Sequence, residues 1–246
     1  MIRSTLASAA ALALALLTPA GAHAWDDDAV LYPEGATVLG KTYREWSSRY
    51  AEWELEIPRG QHPAIDPSRD RNCEIVEGMV MLGASGTGPD GCTVPEDTPL
   101  LSMPVGFECS QAEGDGNTFR ELRRCAVRGW NSFVGPGKDI PGFRLYVDGD
   151  RIPHRGDRWQ FVTTPTVADL PERNIIEWWL PGPQDIPAQT TKQMSKVVTH
   201  ILRPLDEGWH RIRFVVDYQD GDQSATVWRV NVVDDDDDDD DEAAQR

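Results

Sequence analysis

Four cysteines, Cys73, Cys92, Cys109 and Cys125, are confined to one stretch of a 246-residue chain, downstream of an N-terminus suited to export. Residues 1–24 open with a single Arg3, run through small and apolar residues from Leu6 to Leu17, and close on Ala22-His23-Ala24, a small-x-small pattern that a signal peptidase cuts. The expectation is a signal peptide over 1–24 and a secreted or periplasmic protein. In an oxidising compartment an even number of cysteines reads as two disulfides. The spacings of 19, 17 and 16 contain no C-x-x-C knuckle, so they do not suit a metal site. Of the three possible connectivities, Cys73–Cys92 and Cys109–Cys125 close short local loops and are expected.

Charge narrows the partners. Of the 41 acidic residues, nine form the block 234–242; the body over 25–233 holds 32 acids against 22 Lys and Arg, a formal charge of −10. So acidic a surface lacks the basic footprint that nucleic acid requires, and anionic membranes would repel it. After residue 24 no run approaches the roughly 18 apolar residues of a membrane helix, so no membrane insertion is expected. The block 234–246 cannot bury itself and is expected to be a disordered acidic tail. It holds oxygen ligands for calcium but no shaped loop, so weak, nonspecific binding is the most it could offer.

Two helices are predicted near the N-terminus, over 41–55 and 117–133. Thr42 with Glu45, and Thr118 with Glu121, have the spacing of a capping box, which satisfies free N–H groups at a helix start. Tyr43, Trp46, Tyr50 and Trp53 form one aromatic stripe; Phe119, Leu122, Ala126 and Trp130 form a second apolar one. The aromatic stripe reads as a helix pinned to a core, with a sugar-stacking platform as the other use. Residues 74–83 and 100–105 read as strands, and the glycine-rich 83–91 as plain loop without the residues of a phosphate loop. From residue 143 onward, segments rich in β-branched and aromatic residues alternate with Pro and Gly: 143–147 and 151–152 about an Asp148-Gly149 turn, then 158–164, 174–180, 196–202, 209–218 and 225–233. The expected fold is mostly β, a single β-sandwich or jelly-roll-like domain over 25–233 with two accessory helices near the N-terminus.

The order of these segments resembles a family of secreted bacterial proteins of unassigned activity. The matching features are Trp46 and Trp53 ahead of Pro58 and His62-Pro63, Cys73, the strand GMVMLG, and Cys92-Thr93-Val94-Pro95. They continue with the segment 100–105, Cys109 with the helix TFRELRRC, Val147-Asp148-Gly149, and the late turn LDEGWH over 205–210. The family pattern is a Trp-rich helix, a VWFLAG-like strand, a C-x-VPAGKALFFP-like segment and a PLSPGEH-like turn. The chain departs from it at Met79 to Leu82, where an aromatic centre is replaced, and at Glu96-Asp97-Thr98, where a small-residue-Lys turn is replaced. The resemblance spans about 41–233 and implies a fold, with no activity attached.

Three groups of residues carry the chemistry worth testing. A hairpin of 196–202 with 209–218 would set His200 against His210 with Cβ atoms about 5 Å apart, close enough to share a metal. Glu177 or Asp206 would supply a third ligand, and ordinary half-buried strand histidines are the simpler account. Trp178 and Trp179, adjacent in a strand, would point to opposite faces and leave one for a sugar or protein, with Glu177 beside them. Glu74, Glu77, Glu108 and Glu177 are the places where carboxylates could pair for glycoside chemistry. No G-x-S-x-G elbow appears, all four cysteines are expected to be oxidised, and no cofactor is expected. The leading expectation is a non-catalytic extracytoplasmic module that binds a carbohydrate or a protein partner. The alternative is a hydrolase of extracellular polymer using carboxylates or a His-bound metal. Convergence of acids and histidines in one concave site would separate the two.

Overall fold

A computed structural model describes residues 30–69, 71–153, 159–180 and 185–234. The expected signal peptide, the acidic tail beyond Asp234 and the start of the segment 158–164 lie outside the described residues. The body is a β-sandwich with helices. One sheet holds β3 (Glu74–Val76), β4 (Met79–Leu82), β6 (Leu100–Ser110), β9 (Gln160–Val162), β10 (Thr166–Leu170) and β11 (Gln189–Leu202), in the order β10-β11-β6-β4-β3, with β9 also on β11. The other holds β5 (Cys92–Pro95), β7 (Gly142–Val147), β8 (Asp150–Ile152), β12 (Gly208–Asp217) and β13 (Gln223–Val233), in the order β5-β13-β12-β7-β8. The short strands β1 (Thr37–Val38) and β2 (Lys41–Thr42) pair beside the first helix. The helices are α1 (Tyr43–Glu56), α2 (Phe119–Phe133) and a single turn, α3 (Ile176–Trp179).

Both long helices begin as their capping boxes predict: the Thr42 and Thr118 hydroxyls accept from the Glu45 and Glu121 N–H groups, and each Glu returns a bond to the cap backbone. The aromatic stripe of α1 is core, and every polar tip on it has an acceptor. Tyr43 donates to the Tyr32 carbonyl, Trp46 to that of Val38, Tyr50 to that of Leu82, and Trp53 to Glu74 Oε2, at 2.7–2.9 Å. A buried indole or phenol without such a partner would forfeit about 1–3 kcal/mol, so these bonds favour one pose of the helix.

Pleat alternation along β6 and β11 sorts the layers. Glu108 is opposite Ser195 and Gly106 opposite Val197, on the face where the Ser47 hydroxyl of α1 meets that of Thr199 at 2.8 Å. Phe107, opposite Lys196, and Cys109, opposite Met194, point the other way, toward α2. A Cβ added to Gly129 of α2 would lie 2.2 Å from the Phe107 ring, so helix and sheet touch there because glycine has no side chain. Trp130 of α2 and Phe143 of β7 lie 6.2 Å apart, and Phe143 stacks on Phe214 of β12, which places α2 beside the second sheet.

Four expectations are corrected. Residues 74–83 are a hairpin: Glu77 and Gly78 both take positive φ (53° and 81°), the turn that suits strand twist. β6 continues past Pro104 to Ser110, because Met103 and Pro104 lie opposite Thr199 alone at a bulge where no ladder N–H is needed. Residues 174–180 are not a strand; Ile175 and Ile176 are buried, the Asn174 side chain accepts from the Glu177 N–H, and α3 forms instead. The segments 196–202 and 209–218 are not a hairpin. β11 is buried on both faces between α1 and the second sheet, so the chain after Leu202 crosses over and β12 pairs with β7 and β13.

The disulfides pair as expected. Cys109–Cys125 fastens α2 to β6, and Cys73–Cys92 joins the residue preceding edge strand β3 to edge strand β5 of the other sheet. Loops of 16 and 19 residues each restrict the unfolded chain by about 3 kcal/mol. Replacing Cys73 and Cys92 together by Ala should therefore lower the melting temperature by about 10 °C with an unchanged far-UV spectrum. A shift of under about 2 °C in calorimetry would show that the two sheets do not rely on this link.

Candidate functional site

One concave site gathers most of the unusual chemistry. A cleft of about 480 Å³ opens over the face of β6 and β11 that α1 covers. Its walls are the last turns of α1, the centre of β6, α3 and the turn after β6. Small residues make the space: Ala51 on the helix, Ala64 and Ala84 in loops, and Gly106 on the sheet. A Cβ on Gly106 would come within 2.8 Å of the Val197 side chain, so a larger residue there would intrude on the floor.

Into this space project Glu54, Glu108 and Glu113. Glu54 follows Ser47 and Ala51 along the line of α1 that faces the sheet, and it is half-buried at the wall of the cleft. Burial pushes its carboxyl up to about 7. Glu108, opposite Ser195, has both carboxyl oxygens out of solvent contact, and neither makes a well-formed hydrogen bond. Burial raises its carboxyl well above the usual range, helped by the Glu113 carboxyl beside it and by Asp115 and Glu54. Glu113 Oε2 accepts from the Ser110 hydroxyl at 2.8 Å, and Asp115 accepts from the Ser110 N–H at 3.2 Å, so the turn after β6 is tied in place with its acids clustered. No Lys, Arg or His lines the cleft among the described residues.

Trp178 and Trp179 form the rim, 48% and 38% exposed. Because α3 is helical, the two indoles project from one turn into the same cleft instead of to opposite faces of a strand. Behind Trp179 stands His62, whose ring meets the indole edge-on at 6.5 Å between centroids. His62 Nε2 donates to the Glu54 carbonyl at 3.0 Å and Nδ1 accepts from the Ala64 N–H, which fixes one neutral tautomer; burial lowers its pKa to about 4. One imidazole thus links the helix turn carrying Glu54 to the indole that faces it.

The other candidates lie elsewhere. Glu177 Oε1 accepts from the Ile186 N–H and does not line the cleft. Glu74 is engaged by Arg71 and Trp53, and Glu77 by Lys41 and Arg49, both outside the cleft. His200 and His210 do not converge. His200 is fully buried opposite Ser102 in the first sheet, its ring 5.6 Å from that of Phe214. His210 is opposite Val230 in the second sheet, with Nδ1 2.7 Å from Asp148 and Nε2 2.6 Å from the Asp206 carbonyl, so both nitrogens face oxygen acceptors. The proposed shared metal loses its geometric basis. Among the described residues, the one group of three ligand-type side chains close enough for a common ion is Cys109, Asp115 and Cys125, and its two sulfurs are joined in the disulfide.

Sequence reasoning named Glu108, Trp178 and Trp179 but missed Glu54, Glu113 and the role of His62. The signal for Glu54 was available: an acid that falls in line with Ser47 and Ala51 on the covered side of a helix. No family model matches the chain, and neither the curated proteins nor the solved structures compared with it include a match.

The raised acids make stability depend on pH with a definite sign. The native state holds the Glu54 proton more tightly than the unfolded chain does, so its contribution is complete below about pH 4.5 and is lost as pH rises through about 7. His62 works oppositely: its contribution is present above about pH 6.5 and is lost as pH falls toward 4. Glu54→Gln removes the first effect and keeps the second. The melting temperature of the variant relative to the wild type should therefore rise by about 5 °C between pH 5 and pH 8 in scanning calorimetry. A difference that is constant with pH would mean that Glu54 titrates normally.

Proposed function

We propose that the protein is a non-catalytic extracytoplasmic module that binds a carbohydrate in the Glu54–Glu108–Trp179 cleft. The observation that carries this reading is the pair of half-exposed indoles on one helical turn, facing carboxyl groups across a preformed cavity. Sugar rings present apolar C–H faces that lie on indoles and hydroxyls that exchange hydrogen bonds with carboxyl groups. The export-type N-terminus, the paired cysteines and the absence among the described residues of a helix long and apolar enough to cross a membrane support a secreted or periplasmic location. The resemblance to secreted bacterial proteins over 41–233 supports the same placement.

A hydrolase is the second reading. It is favoured by Glu54, whose carboxyl at about 7 has the character of a general acid, with further carboxyls in the same cleft. It would act through these acids and not through a histidine-bound metal.

Trp178→Ala and Trp179→Ala should each weaken oligosaccharide binding by about tenfold, on the order of 1.4 kcal/mol, with the fold intact and the melting temperature lowered by a few degrees at most. Affinity electrophoresis in soluble polysaccharide gels measures the first and calorimetry the second. Unaltered retardation of both variants would place any glycan site elsewhere. Release of reducing ends by the wild type, lost in Glu54→Gln, would move the assignment to the hydrolase.

A further inference from the structure

We propose that the cleft selects a sugar bearing a protonated amine, with the ammonium group against Glu108 and Glu113 and the sugar ring on Trp178 and Trp179; this rests on the carbohydrate reading above. Three acids and two indoles line the cleft, and no basic side chain among the described residues balances them. Asp115 adds a further carboxyl behind Glu113. A neutral sugar would lie on the indoles and meet the carboxyls only through hydroxyl hydrogen bonds. An amine uses both, because carboxylates attract a cation directly and indole faces attract it through their quadrupole.

Glu108 gives the independent sign of a missing partner. Its two carboxyl oxygens are out of solvent contact, line the cleft and make no well-formed hydrogen bond, the Glu113 carboxyl being the polar side chain against them. Polar atoms in protein interiors are otherwise almost always satisfied, and the three N–H donors of an ammonium group suit two carboxyls at once. Burial favours the protonated form of Glu108. On binding, that proton leaves to solvent and the ammonium takes its place, so charge in the cleft is conserved. The acidity of the whole body raises the local concentration of such a ligand.

The test uses titration calorimetry on the full mature chain with four probes: a glucosamine tetramer, the N-acetylglucosamine tetramer, cellotetraose and spermidine. The glucosamine tetramer should bind at least about tenfold more tightly than either neutral tetramer, with a proton release seen as an enthalpy that varies with the ionisation heat of the buffer. Glu108→Gln, and separately Glu113→Gln, should bring the affinities of the three tetramers to within about threefold of one another and abolish the buffer-dependent part of the enthalpy. Equal affinity of all three tetramers for the wild type would overturn the selection and leave the carbohydrate reading standing. Spermidine binding as tightly as the glucosamine tetramer would overturn the part assigned to the sugar ring. Binding of no tetramer would overturn both readings together.

Discussion

The antiparallel pairing of β6 with β11 runs from Leu100 opposite Leu202 to Ser110 opposite Gln193, and each face of this pair supports a different layer. One face receives α1 and the cleft; the other receives α2 and, further along, the second sheet. Pleat alternation then assigns roles to neighbours in sequence. Phe107 and Cys109 anchor α2, while Gly106 and Glu108 between and beside them form the floor of the cleft. The bulge at Met103 and Pro104 shifts this alternation partway along the ladder. A slip of one residue would put Glu108 under α2 and Phe107 into the cleft, so the register of this single pair decides whether the site exists.

Within that frame the cleft is built at a cost to stability. A carboxyl desolvated without donors is disfavoured when charged, and three acids in one space disfavour one another. An apolar residue at position 108 would line the cleft beside Val197 without this penalty. Structural needs therefore do not explain the acids, whereas a ligand that supplies the absent counter-charge does. His62 fits the same account. It is held between the Glu54 carbonyl and the Ala64 N–H, and its ring meets Trp179 edge-on behind the rim.

Local signals carried far in this chain, and non-local ones did not. Thr42-x-x-Glu45 and Thr118-x-x-Glu121 marked both helix starts because a capping box is complete within four residues. The cysteine pairs were legible because each closes a short loop between adjacent elements. The partner of β11 was not legible. Val197 to Leu202 reads equally well as half of a hairpin or as a central strand, and only burial on both faces separates the two. Only one of Trp178 and Trp179 was expected at the surface, on opposite faces of a strand; both are exposed, and a four-residue helix leaves no periodicity to detect. Glu108 could be named but not placed, because its meeting with Glu54 and Glu113 depends on α1 crossing a sheet whose strands lie far apart in sequence.

The state of Glu108 tests this account most directly. Site-resolved carbon-13 NMR of the glutamate carboxyls in the unliganded chain reads each proton separately. The Glu108 carboxyl should titrate well above the ordinary glutamate range, because burial and the carboxyls of Glu113, Asp115 and Glu54 oppose its charge. A midpoint near 4.5 would show Glu108 to be solvated like a surface residue, and the cleft would not be the desolvated, acid-lined space on which the account rests.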